Sequence, residues 1–419
     1  MPARGAGHSS LAIDNLRAIV ILLVVAFHSV LAYLSFLPPH PFAFDQPPFE
    51  WRSFPVVDSQ RWLGFDIFCA WLDVFLMSFF FLLSGLFAWP SLSRKGVRAF
   101  LLDRLLRLAG PCAAVVLLLM PLAHYPVYLQ TASDPSIADF WRHWLALPLW
   151  PSGPMWFLWL LLVGDIAVAA LYALTGRRRD AVLRLSRYAR QHPARFLAAF
   201  ALVSVIAYVP LAVAFGPFAW VQRGPFSLQL SRPLHYALYF FAGVAIGACG
   251  IERGLAGPDG PLARRWVWWV AAAPPLFVLW LGLTALTRAP LPAALWLQVL
   301  DDLSFVAACF AGCGAALALA VRFAAVRSRL LDSLKANAYG MYLVHYVFVV
   351  WLQYALLPAA LPAVIKAALV CGGTTLLSWS GTAALRRIPA VAYIIGAQRG
   401  ASAVPTAQFA SHAPHSAAE

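Results

Sequence analysis

The sequence predicts an all-α, polytopic membrane protein with about ten transmembrane helices and both termini in the cytoplasm. Three observations carry this. The 419 residues are 62% hydrophobic and 11% charged, against about 25% charged in soluble domains, and the mean hydropathy is +0.74. Apolar runs long enough to cross a bilayer core recur along the chain. The basic residues concentrate in alternate connecting segments.

In chain order the expected spans are 15–37, 66–90, 108–129, 154–175, 195–215, 233–251, 266–286, 295–321, 336–357 and 363–385. The first follows Asp14 and lacks a small-residue cleavage site, so it reads as an uncleaved span rather than a signal peptide. The seventh contains Pro274-Pro275, which neighbouring helices can accommodate. The eighth carries Asp301 and Asp302. Residues 1–12 form a cytoplasmic tail, 13–390 the membrane domain, and 391–419 a disordered cytoplasmic tail of small, polar, aperiodic composition.

Of 31 Lys and Arg, 24 are Arg17 at the start of the first span or fall in the two terminal segments and in 91–108, 176–195, 252–265 and 322–335. This asymmetry sets the orientation. It also explains the net charge of +14 through topology and anionic lipid, with no call for nucleic acid. The opposite side carries two longer segments, 38–65 and 130–152, rich in Pro, Trp and Phe. Aromatics there suit an interfacial belt, the commoner case, and also suit stacking on a sugar ring. The six cysteines lie in or beside spans. Cys309 and Cys313 share a helix face, but no His or acid cluster completes a site, so neither a disulfide framework nor a metal is expected.

Ionisable residues inside a membrane are the candidates for function. Arg17 and His28 are eleven positions apart. Eleven steps of about 100° place them within roughly 20° of one face, and about 1.5 Å per residue separates them by roughly 16 Å. The expectation puts Arg17 near the cytoplasmic surface and His28 near the midplane; an interfacial anchor and a packed histidine are the plain alternative. Asp73 in the second span can orient His28 by accepting from its other ring nitrogen. Asp165 is a further intramembrane carboxylate. Ser84-Gly85 permits close helix approach. Arg104 and Arg107, at i and i+3, can present two forks to one phosphate or serve as membrane anchors. His345 is a second intramembrane imidazole, and Tyr339, Tyr342 and Tyr346 form a stripe near one face that packing alone would also explain.

The pieces occur in a telling order. R-x10-H (Arg17, His28) is followed by F-F-x-L-S-G ending at Ser84-Gly85, then R-x-x-R (Arg104, Arg107), W-F-L from Trp156, and Y-G-M-Y-L-V-H from Tyr339 to His345. Over roughly residues 10–385 the chain resembles the acyltransferase-3 family of integral membrane acyltransferases. One departure is Leu86, where the family usually has Phe after S-G.

The resemblance implies a ten-helix core. It would move an acyl group, acetyl or succinyl, from cytoplasmic acyl-CoA to a hydroxyl of a glycan or other extracytoplasmic acceptor, without a metal. It implies a cell-membrane location, the inner membrane of a bacterium. It maps the required arginine and histidine onto Arg17 and His28. Arg104 and Arg107, with Ser84 and Gly85, would bind the donor; Trp156, Tyr339 and His345 are further candidates. His28 is then the general base, neutral at pH 7 when desolvated. No appended esterase-like domain is recognised, so transfer is expected within the membrane core or with a separate partner. The competing class is a multi-pass transporter or flippase for a glycan or lipid-linked substrate, which also buries ionisable groups. Against it, no inverted repeat or matched pair of broken helices is evident.

Overall fold

The computed structural model describes residues 8–175, 180–288 and 293–395. Its long helices in chain order are α1 (His8–Val30), α2 (Leu63–Lys95), α3 (Val97–Leu129), α5 (Trp156–Thr175), α7 (Pro193–Phe215), α8 (Pro233–Gly247), α9 (Trp266–Thr287), α10 (Leu295–Phe323), α11 (Arg329–Ala355) and α12 (Ala363–Leu385). Shorter helices are α4 (Ile137–Ala146), α6 (Asp180–Gln191) and α13 (Pro389–Ile394). All ten expected spans correspond to helices. Eight are long and apolar enough to cross a membrane. Of the other two, α8 has only 15 residues, and α11 carries Asn337, His345 and Gln353 within its apolar stretch.

Boundaries differ where a polar turn continues an apolar helix. The first helix starts at His8, not near 13–15, because Ser9 and Ser10 donate their backbone N–H groups to the Glu252 carboxylate at 3.1 and 2.9 Å. A carboxylate at the positive end of a helix stabilises it. Similarly α3 starts at Val97 and α11 at Arg329, where Ser328 accepts from the Leu331 N–H as a cap. At the other end, the expected disordered tail from 391 begins inside α13; the remainder of that tail, with His412 and His415, lies outside the described residues. So does the Arg177-Arg178-Arg179 run.

α1 is central, packing against α2, α10, α11 and α12. α2 packs most closely on α8, through glycines. A Cβ on Gly85 would overlap the Phe240 carbonyl oxygen, one on Gly243 that of Leu82, and one on Gly247 that of Leu86. Small residues at four-residue spacing let the two backbones touch.

α3 is interrupted by π-helical turns at Leu105–Ala109 and Val115–Leu119 and carries three prolines. Proline has no N–H for the carbonyl one turn before it. Side chains answer this. Tyr339 donates to the Arg107 carbonyl, four residues before Pro111. Trp351 donates to that of Leu122, four before Pro126, at 2.9 Å. Trp150 donates to Val116, five before Pro121 in the π-helical turn, at 2.8 Å. Two of these donors lie on α11, so α11 braces α3 at its weak points.

At the end of the bundle where α1 finishes, the connections are ordered. Trp51 stacks on Phe44 at 4.9 Å and donates to its carbonyl. Asp58 forms a buried ion pair with Lys366 of α12, 2.7 Å apart and each about 1% exposed. A two-stranded antiparallel hairpin, β1 (Trp220–Arg223) and β2 (Phe226–Gln229), pairs Trp220 with Gln229. The hairpin is absent from the all-helical expectation; each strand has only four residues, around Gly224 at φ 55°. Gln222 joins it to the Trp150 carbonyl at 3.2 Å and accepts from Arg52 at 2.5 Å.

Candidate active site

His28 sits two residues before the end of α1. The apolar span Ser9–Tyr33 has 25 residues, roughly 37 Å, and His28 is five residues from its far end. Measured along this span, His28 lies nearer the end leading to the 34–62 loop.

Its protonation follows from its partners. Nδ1 lies 2.8 Å from the Val24 carbonyl oxygen, which can only accept, so Nδ1 carries the proton. His345 Nδ1 likewise faces the Tyr342 carbonyl at 2.7 Å, leaving its Nε2 as an acceptor. That Nε2 lies 3.4 Å from His28 Nδ1. The two contacts agree: the His28 N–H is shared between Val24 and His345, and His28 Nε2 keeps its lone pair. His345 is fully buried. Tyr346 packs edge-on against His28 at 5.5 Å.

His28 is half-buried and opens on a cavity of about 150 Å³. Around it stand Asp73, Phe80, Trp156, Trp220 and Tyr342. Trp156 and Trp220 meet edge to face at 5.4 Å. The Tyr342 hydroxyl donates to the Pro154 carbonyl at 2.5 Å, fixing the start of α5 beside the cavity.

Asp73 shares the cavity but does not orient His28. Its carboxylate is held by Arg232, which donates from both terminal nitrogens at 3.0 and 2.5 Å and also reaches the Asp73 backbone carbonyl at 3.1 Å. A guanidinium fork matches a carboxylate better than an imidazole does. Sequence reasoning missed Arg232. The available signal was its membership of the basic minority outside the cytoplasmic segments, immediately before a span; Lys366, also buried on a carboxylate, belongs to that minority.

A second group of side chains lies toward the opposite end. Arg17 packs over the Phe87 ring at 4.0 Å and lies 3.6 Å from Asp14. Arg104 and Arg107 are held by different carboxylates through Nε: Arg104 by Asp165 at 3.2 Å and Arg107 by Asp103 at 3.0 Å. Asp103 also pairs with Lys95 at 2.9 Å. Arg107 further faces the Tyr393 ring of α13 at 5.9 Å. Each guanidinium has five N–H donors, more than one carboxylate contact uses.

Ser84 and Gly85, grouped above as donor-binding, separate. Gly85 is spent on backbone contact with α8. Ser84 is half-buried and lies one turn before Phe87, on the face where Arg17 packs. On α11, Tyr339, Tyr342 and His345 follow at three-residue steps from the Arg107 level to His28. Among the described residues, no group of three or more His, Cys, Asp or Glu is placed to hold a metal ion.

The fold and this site define a helical, polytopic membrane protein with an imidazole beside a cavity in one half and a cationic cluster in the other. Residues 10–383 match the family described as an acyltransferase domain, acyltransferase type 3, and the chain belongs to that family. It is a membrane O-acyltransferase. No curated protein matches the chain. No solved structure matches it.

Proposed function

We propose that the protein moves an acetyl or succinyl group from cytoplasmic acyl-CoA to a hydroxyl of a glycan or similar extracytoplasmic acceptor, with His28 as general base. The single observation behind this is the free His28 Nε2 facing the cavity while Nδ1 is tied to Val24 and His345. In this reading Nε2 takes the proton of the acceptor hydroxyl as its oxygen bonds to the thioester carbonyl carbon. The tetrahedral adduct then expels CoA as the carbon–sulfur bond breaks, and the imidazolium returns the proton to the thiolate. Arg17, Arg104 and Arg107 bind the phosphates of CoA, and the pantetheine arm runs along α1 over the roughly 16 Å to His28. The site lies in the membrane of a bacterial cell, the inner one, with the cationic cluster cytoplasmic.

The test uses purified protein with acetyl-CoA or succinyl-CoA as donor. His28→Ala is expected to lower acyl transfer by about 10² to 10⁴ while donor binding persists. Arg104→Ala with Arg107→Ala is expected to raise the donor KM by about tenfold or more. Full turnover by His28→Ala sinks the assignment.

A further inference from the structure

The Asp73–Arg232 pair is asymmetric. The Arg232 side chain is 2% exposed, whereas that of Asp73 is 38% exposed. Both terminal nitrogens of Arg232 point at Asp73, and its guanidinium lies over the Phe305 ring at 4.9 Å. The arginine is thus committed to the carboxylate and to the backbone of the same residue. Each carboxylate oxygen has two acceptor directions, so acceptor capacity remains on the side that faces the cavity. The cavity's other walls near Asp73 are apolar: Leu72, Leu76, Met77 and Phe80. A fixed carboxylate among them offers acceptance of a ligand's donor group and nothing else.

Two further lining residues supply shape. Trp156 and Trp220 present aromatic surface, and apolar cavities of about 150 Å³ accommodate one six-membered ring. The pair is neutral as a unit, so the chemistry that fits is an uncharged ring bearing hydroxyls.

We infer that Asp73, pinned by Arg232, binds the acceptor by accepting a hydrogen bond from a hydroxyl next to the one presented to His28. This rests on the acyl-transfer reading above and adds a residue that selects acceptor over water. Arg232 is a positioning residue, acting through Asp73.

The test separates transfer from hydrolysis. Native membranes containing the envelope acceptor receive radiolabelled acetyl-CoA or succinyl-CoA. Incorporated label and total CoA release are both counted. Asp73→Leu, which has no acceptor, is expected to lower the ratio of transfer to hydrolysis by about tenfold or more, the loss of one hydrogen bond to a charged group. Because that variant leaves Arg232 buried and unpaired, Asp73→Leu with Arg232→Met serves as the fold-safe partner. It is expected to keep its melting temperature and show the same lowered ratio. The exchanged pair, Asp73→Arg with Arg232→Asp, restores the ion pair but withdraws the carboxylate from the cavity. Recovery of the ratio by the exchanged pair shows a merely structural pair and overturns the proposal. So does an unchanged ratio in the neutral double variant. If wild-type protein gives no His28-dependent CoA release, the acyl-transfer reading itself fails, and the acceptor assignment falls with it.

Discussion

A histidine serves as a base only if the correct nitrogen is unprotonated, and at His28 the choice is made by main-chain carbonyls rather than by an acid. Val24 fixes the Nδ1 proton, and Tyr342 does the same for His345, so both rings adopt the tautomer with Nε2 unprotonated. Replacing His345 removes one acceptor and leaves the other. His345→Gln, whose amide oxygen can still accept, is expected to retain more activity than His345→Leu, with His345→Leu reduced by about tenfold. Steady-state transfer rates of the two variants check the order; equal rates would mean that His345 contributes packing alone. Both histidines were legible in the sequence as ionisable groups inside apolar spans. Their contact, 317 positions apart in the chain, was not, because spacing reports only what one helix does. The same limit hid the true partner of Asp73. A carboxylate in a span announces that it needs a cation or a cavity, and Asp73 has both, but its cation comes from Arg232 on another element.

Helices were legible in number and type because a bilayer demands long apolar runs, whereas their ends were not, because polar first turns belong to the helix without belonging to the membrane. The hairpin was missed since eight strand residues around Gly224 carry too little alternation to outweigh their apolar surroundings. What the sequence could not reveal at all is how proline-interrupted α3 is supported. Its freed carbonyls are capped from α11 and from Trp150. Tyr339→Phe and Trp351→Phe each keep the ring and delete the donor. Each is expected to cost about 1 kcal/mol, more if the carbonyl stays dry. The measurement is unfolding in detergent, with Tyr354→Phe, whose hydroxyl is not among these donors, as a reference. A Tyr339→Phe variant as stable as that reference removes the bracing role. Gly85 makes the opposite kind of contact, by absence. Gly85→Val is expected to force α2 and α8 apart and to destabilise by more than Ser84→Val does, since only the former places a Cβ against backbone.

Charge divides the whole molecule in two. The segments rich in Arg and Lys join the ends of helices that carry Arg17, Arg104 and Arg107, while His28, Asp73, Trp156 and Trp220 gather at the ends joined by the 34–62 loop and the hairpin. In the proposed reading, the positive-inside rule puts the cationic cluster on the cytoplasmic side and the cavity toward the far side. Holding that far side together is the Asp58–Lys366 pair, which ties the 34–62 loop to α12. Breaking a buried pair on one side leaves an unpaired charge in the interior, so Lys366→Met is expected to destabilise by roughly 3–5 kcal/mol, whereas Asp58→Asn with Lys366→Met recovers most of it. Orientation itself is open to a direct measurement. Single cysteines at Arg142 of α4 and Arg187 of α6, in a protein otherwise free of cysteine, are exposed at opposite ends of the bundle. A membrane-impermeant maleimide added to intact cells with a permeable outer layer is expected to label the Arg142→Cys protein, and the Arg187→Cys protein only after lysis. Labelling of Arg187→Cys before lysis reverses the orientation. It would put the cationic cluster outside, where no CoA pool exists to be bound, and acyl-CoA could no longer be the donor.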